Sequence, residues 1–236
     1  MKTRNILSAA KKKNYVIEVS ELLVGYNQGT VCGELNFEVE AGDVLSLIGA
    51  NGVGKTTVLK ALIGLLEPEE GAVKLFGRPV DDRELWFRRD VASVLDEDAF
   101  FPSLSVAEHL ILMAKGHAVP NPEDAVIAEL ETFGLTARAE ALPSELSSGQ
   151  RRRMLLASAF LRPFKLLVLD EPEQRLDPST RIQLGERLRA LGDAGTAIVM
   201  ATHDGELMSA ASDWAILIGD EPESMSVDDA SEFLGS

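Results

Sequence analysis

"DVLSLIGANGVGKTTVLKALIGLL", residues 43–66, decides the fold. An apolar run, Val44–Ile48, passes directly into a glycine-rich turn and then into helix-forming residues. The turn, Gly49–Thr56, fits the pattern G-x-x-x-x-G-K-[ST] without a gap. Gly52 and Gly54 permit backbone conformations that turn successive N–H groups inward, and the start of the following helix adds positive partial charge. Lys55 can reach β- and γ-phosphates, and the Thr56 hydroxyl can ligate Mg²⁺. The candidate phosphate contacts are therefore Gly49, Asn51, Gly52, Gly54, Lys55, Thr56 and Thr57. This stretch predicts a nucleoside triphosphate site.

Working outward, 236 residues with 45% apolar and 26% charged side chains make one large or two small globular domains. The net charge of −15 disfavours nucleic acid as a partner. Basic residues crowd the amino terminus (Lys2, Arg4, Lys11–Lys13), and none follows Arg189. Residues 1–14 accordingly read as a basic tail, and residues 221–236 as an acidic, partly disordered one. Cys32 is the only cysteine, which excludes an internal disulfide, fits a reducing compartment, and is expected as a small apolar residue in a strand. "MKTRNILSAAKKK" lacks the apolar region of a secretory signal, and no apolar run approaches the ~18–20 residues of a membrane span. Any membrane work is expected of another chain.

"YVIEV" (15–19) and "ELNFEVEAGDV" (34–44) alternate apolar and polar residues, predicting half-buried antiparallel strands, and "EEGAVKLFG" (69–77) predicts another short pair. From about Ser105 to Phe160 helices dominate, with capping boxes at Ser105/Glu108 and Ser147/Gln150 and an N-cap at Asn121 before Pro122. "KLLVLD" (165–170), a helix from about Pro178 to Leu191, "TAIVMAT" (196–202) and "WAILIG" (214–219) then alternate strand and helix. Fully apolar strands between helices indicate a mostly parallel sheet covered on both faces. The whole reads as an α/β core interrupted by a helical insert.

"LLVLDEP" (166–172) ends a buried strand on Asp170, a carboxylate that can meet Mg²⁺ beside the phosphate loop. Glu171 follows, placed to polarise water as a general base. His203 ends another strand, on the rim where ligands bind in such sheets. No Asn-Lys pair occurs, which disfavours a guanine-specific N-K-x-D site.

In this order, Tyr26 in "VGY", the phosphate loop, "LSSGQ" (146–150), "LLVLDEP", "LDP" (176–178) and His203 resemble the nucleotide-binding subunits of ABC transporters, from about Val16 to Gly219. The resemblance implies a P-loop NTPase, ABC-type ATPase domain over 15–220. It would carry an antiparallel β-subdomain and a helical subdomain (about 100–162) inserted between the phosphate loop and the Walker B strand. It further implies ATP and Mg²⁺ as cofactors, adenine stacking on Tyr26, and catalytic roles for Lys55, Glu171 and His203. Ser147, Ser148, Gly149 and Gln150 would close over ATP held by a second, head-to-tail subunit, with separate membrane-spanning permease subunits as further partners on the cytoplasmic face. "RRRMLLASAFL" resembles compact exporter ATPases, so export is favoured over import. The rival readings are a soluble non-transport ATPase of this type and an ATP-binding regulatory subunit with weak hydrolysis.

Three departures from the family pattern bear on the site. Asp96 stands where the family places a Gln near Mg²⁺, so Thr56, Asp170 and Asp96 are the candidate metal ligands. Ser148 stands where Gly is usual. "EQR" (173–175) replaces small or polar residues, and Arg175 is bulky for a subunit interface.

Overall fold

The computed structural model describes residues 15–26, 29–95 and 100–235, and only the backbone of Tyr26. The basic stretch 1–14 and Asp96 lie outside the described residues. From the amino end, β1 (Tyr15–Leu23) is followed by a small ribbon, β2 (Gly25–Tyr26) with β3 (Gly29–Thr30), then β4 (Leu35–Glu40) and β5 (Val44–Ile48). Next come α1 (Lys55–Leu62), β6 (Glu70–Leu75), β7 (Arg78–Pro79), and α2 (Leu85–Asp90) running into β8 (Val91–Val94). The helical region holds α3 (Val106–Gly116), α4 (Pro122–Thr132) and α5 (Ser148–Leu161). Strand and helix then alternate through β9 (Leu166–Asp170), α6 (Pro178–Asp193), β10 (Ala197–Ala201), α7 (Gly205–Ala211) and β11 (Trp214–Leu217), ending in β12 (Glu223–Met225) and α8 (Val227–Gly235).

Two larger sheets result. The antiparallel one has the order β4-β1-β6-β7, and in β4 Leu35, Phe37 and Val39 face inward while Asn36 and Glu38 face out. The second has the order β12-β11-β5-β10-β9-β8, parallel except for β12. Its central strands read as apolar runs, broken only by the buried Ser46 of β5, because successive side chains enter two different cores. In β10, Ala197 and Val199 pack with α1 and the antiparallel sheet, whereas Ile198 and Met200 pack with the helical region. β9 divides the same way, Val168 on the first face and Leu167 and Leu169 on the second. Parallel pairing of β5, β10 and β9 brings their carboxyl ends to one rim. That rim carries Gly49, Asp170 and the Thr202–His203 turn.

The helical region is held by caps and by ion pairs, among them Lys115 of α3 with Glu123 of α4 at 3.1 Å. Ser105 and Ser147 each accept a bond from the backbone N–H three residues on, and Glu108 and Gln150 return it, completing both capping boxes. Asn121 occupies the N-cap position of α4 at φ 47° but makes no side-chain cap. Pro122 disfavours the right-handed region for the residue before it, and Asn tolerates the left-handed one. Arg187 of α6 grips Glu129 of α4 through two bonds, one of 2.8 Å, and its guanidinium lies 4.2 Å from the centre of the Phe160 ring.

Two expectations are corrected. Residues 221–235 of the stretch read as a tail over 221–236 are folded: β12 pairs antiparallel with β11, and α8 packs beside β11 and α7 with Ala230 fully buried. Acidic composition hid the apolar series Met225, Val227, Ala230 and Leu234, which packs there. Cys32 is buried as expected but sits in a bend after β3, not in a strand.

Candidate functional site

The phosphate loop leaves β5 at Gly49, whose φ is 137° and where an added Cβ would lie 2.7 Å from the Ile218 carbonyl oxygen. Only glycine fits that approach of two strands. At the other end Gly54 (φ 107°) starts α1, and no side chain caps the helix. The first N–H groups of α1, with Lys55, Thr56 and Thr57, thus make a helix end of the kind that can receive an anion. Lys55 is buried, and its Nζ donates to the carbonyl oxygens of Gly49 (2.9 Å) and Ala50 (3.0 Å), arching back over the loop. Burial pushes its pKa down, while the Glu171, Asp170 and Glu173 carboxylates pull it up.

Beside it, the Thr56 hydroxyl donates to Asp170 Oδ2 at 2.7 Å. Asp170 Oδ1 is buried with no hydrogen-bond partner. Burial, reinforced by the Glu171 charge, raises the Asp170 pKa against the Thr56 hydrogen bond and the charges of Arg152 and Lys55. A hydroxyl plus one carboxylate with a free oxygen fits Mg²⁺, which takes one or two carboxylates and completes its octahedron with phosphate oxygens and water. Among the described residues no group of three or more His, Cys, Asp or Glu could hold a metal by itself. A cation here needs a phosphate to share it.

Glu171 follows at φ 45°, its N–H donating to Ala201 O at 2.8 Å, so the turn is pinned to the end of β10. Its Oε1 lies 3.4 Å from His203 Nε2, and its Oε2 accepts from the Gln174 amide. The structure therefore brings Lys55, Thr56, Asp170, Glu171 and His203 to one rim. Ser147–Gln150 form a separate helix start with no hydrogen bond to any of these five. The Gln150 side chain is occupied in the capping box, and a Cβ at Gly149 would lie 2.5 Å from the Arg175 carbonyl oxygen, so glycine is required there too. Tyr26 lies in β2, with its side chain outside the description.

Sequence reasoning missed two contributors. Arg152, buried on α5, donates to the carbonyl oxygens of Asp170 and Glu171, the latter at 2.8 Å, and so ties the "LSSGQ" helix to the acidic turn. Glu173, flagged only as a departure, turns inward to 7% exposure and accepts from Thr202 Oγ1 (2.7 Å) and the His203 N–H (3.1 Å). Its usable signal was a charged residue immediately after "LLVLDEP" (166–172); Arg152 gave none beyond a basic run. Arg175, by contrast, is exposed at φ 63°.

Residues 32–174 match the family model described as ABC transporter, a segment that holds the phosphate loop, Ser147–Gln150, Asp170 and Glu171. The chain is 38% identical over 189 residues to the Nod factor export ATP-binding protein I of Burkholderia thailandensis, covering 79% of this chain and 62% of that protein. It thus spans a little under two thirds of that relative's length. It is 32% identical over 208 residues to the SkfA peptide export ATP-binding protein SkfE of Bacillus subtilis, covering 87% and 86% of the two chains. A solved structure of an ATP binding subunit of an ABC transporter superposes with a TM-score of 0.81 at 29% identity over 93% of each chain. With its phosphate loop, acidic strand end and second helix start all set on the matching fold, this chain belongs to the ABC transporter family.

Proposed function

We propose that this chain binds and hydrolyses ATP with Mg²⁺, and that it powers transport, export being favoured, through separate membrane-spanning subunits at the cytoplasmic face of the membrane. One observation carries the reading: the Thr56 hydroxyl bonded to Asp170, whose second oxygen is buried and unpartnered next to a phosphate loop. The α1 helix end and Lys55 bind the β- and γ-phosphates, Lys55 exchanging its two carbonyl partners for phosphate oxygens. Thr56 and Asp170 hold the cation, which when bound neutralises phosphate charge. Glu171 takes the proton of the attacking water, and His203, within 3.4 Å, orients that carboxylate. Ser147 and the N–H groups around Ser148 and Gly149 offer a second anion-binding helix start, which closes on the γ-phosphate held by a second ATP-binding subunit. The names of the export relatives support the direction of transport. Among the described residues no helix is long and apolar enough to cross a membrane, so the reading assigns the path to a partner chain.

One observation favours a second reading, an ATP-binding regulatory subunit with weak hydrolysis. The Gln174 amide bonds Glu171 Oε2 and so occupies one of the two oxygens that would take the proton. Lys55→Ala tests the shared part: nucleotide affinity falls severely, and unchanged affinity refutes the site. Purification from native membranes then tests transport, since a multi-span partner supports it and a ribosomal partner sinks it.

A further inference from the structure

We infer that Glu173 is a positioning residue for the reaction proposed above: its buried carboxylate clamps the His203 turn onto the Glu171 turn, setting the imidazole against the base. The inference rests on that reading, but the clamp itself is geometric and exists without nucleotide. One oxygen of Glu173 accepts both the Thr202 hydroxyl (2.7 Å) and the His203 N–H (3.1 Å). Thr202 Oγ1 in turn accepts the Asp204 N–H at 3.0 Å, so all three residues after β10 hang on this group. On the other side, the Glu173 carbonyl oxygen accepts the Leu176 N–H (3.1 Å), and the Glu171 carbonyl oxygen accepts the Gln174 N–H (3.0 Å), which folds residues 171–176 into one tight turn. The two turns meet at the contact between His203 Nε2 and Glu171 Oε1.

Stability alone does not account for a carboxylate here. Oε2 is buried and unpartnered, and burial pushes the pKa of Glu173 up against the hydrogen bonds it accepts. A buried acceptor with one idle oxygen is an unfavourable way to close a strand end. What the side chain supplies is reach, from the turn after β9 to the backbone of the residue that carries the imidazole. The bonds from the Glu171 N–H to the Ala201 carbonyl oxygen and from the Thr202 N–H to the Leu47 carbonyl oxygen anchor the backbone up to Thr202. His203 and Glu171 are both partly exposed, and Glu173 extends that anchoring to the His203 N–H itself. Loss of the clamp frees the His203 backbone by about an ångström, a displacement that can cost on the order of 10²-fold in rate.

The test compares the parent chain with Glu173→Ala and Glu173→Gln. Gln retains the acceptor oxygen and adds an amide where the idle oxygen stood. In the nucleotide-free protein, amide hydrogen exchange at His203 accelerates tenfold or more in Glu173→Ala and stays within threefold of the parent in Glu173→Gln. With MgATP, Glu173→Ala keeps nucleotide affinity within about twofold, because Lys55, Thr56 and Asp170 are untouched, while kcat drops at least tenfold. Glu173→Gln restores kcat to within threefold. Unchanged exchange in Glu173→Ala overturns the clamp, and so does unchanged kcat, or a Gln variant as slow as Ala. If the parent binds no ATP, the functional reading fails, and the exchange measurement still decides the clamp.

Discussion

Asp170→Asn should make the ligand-free protein more stable while removing its response to Mg²⁺. In the parent, Asp170 places a charged oxygen in a buried position with no partner, and burial with the neighbouring Glu171 charge outweighs what Thr56, Arg152 and Lys55 return. Asn keeps an acceptor for the Thr56 hydroxyl, now 2.7 Å away, and replaces the charge with a neutral amide. An unsatisfied buried group costs about 1–3 kcal/mol, more when charged, so the exchange is worth about 1–2 kcal/mol. For a chain of this size that is roughly 2–8 °C in Tm. Calorimetry without nucleotide, with ATP alone and with ATP plus Mg²⁺ reads both halves of the prediction. The parent gains further Tm when Mg²⁺ joins ATP, and the variant does not. A variant that melts at or below the parent without ligand would refute the idle-oxygen account. A variant that still answers to Mg²⁺ would remove Asp170 from the cation site.

Three further outcomes are expected. Glu171→Gln retains ATP but lowers turnover by about 10²-fold or more, the scale of general-base catalysis; steady-state kinetics that show no change place the proton transfer elsewhere. His109 is buried, and burial depresses its pKa, so the fold holds the neutral imidazole, which accepts the Phe101 N–H at 3.5 Å. Stability from this residue is present above the unfolded value of about 6.5 and is lost as pH falls below it toward the depressed folded value; His109→Gln flattens the Tm–pH curve below about pH 6.5, and a curve of unchanged slope counts against the assignment. Glu129→Ala strands the Arg187 guanidinium between α4 and α6 and lowers stability by about 2 kcal/mol or more, read as a drop of roughly 4–8 °C, whereas a shift below 2 °C makes the pair a surface ornament.

The phosphate loop was legible because its signal is local: a strand, three glycines and Lys-Thr fall within Val44–Thr57, and no distant contact is needed to read them. Asp170 and Glu171 were legible as a strand end. Glu173 was not, because its partners Thr202 and His203 are 29 and 30 residues away and meet it only once β9 and β10 are neighbours. Arg152 escaped for the same reason, hidden among the three arginines 151–153, of which it alone is buried. The β12–α8 segment carries too few apolar residues for periodicity to stand out from its charge, and in the α2–β8 segment Arg88–Asp90 split the apolar residues into runs too short to show a period. Ser105 and Ser147 announced their helices, since a capping box spans three residues and is visible in the sequence itself.

The antiparallel β12 has a consequence for how copies of this molecule behave in crowded solution. Without it, β11 would offer its outer backbone groups to any passing strand, and the sheet could grow from one molecule into the next. Three residues, Glu223–Met225, occupy that edge, and they present a short, acidic border in place of the apolar β11. Asp220, Glu221 and Glu223 then repel the same border on another copy. Removing residues 221–236 should therefore harm solubility first: the trimmed protein would aggregate by strand addition while its phosphate loop, held by β5 and the retained end of β11 through the Ile218 N–H to Ile48 carbonyl bond of 2.8 Å, remained folded. The acidic end works as a guard against polymerisation.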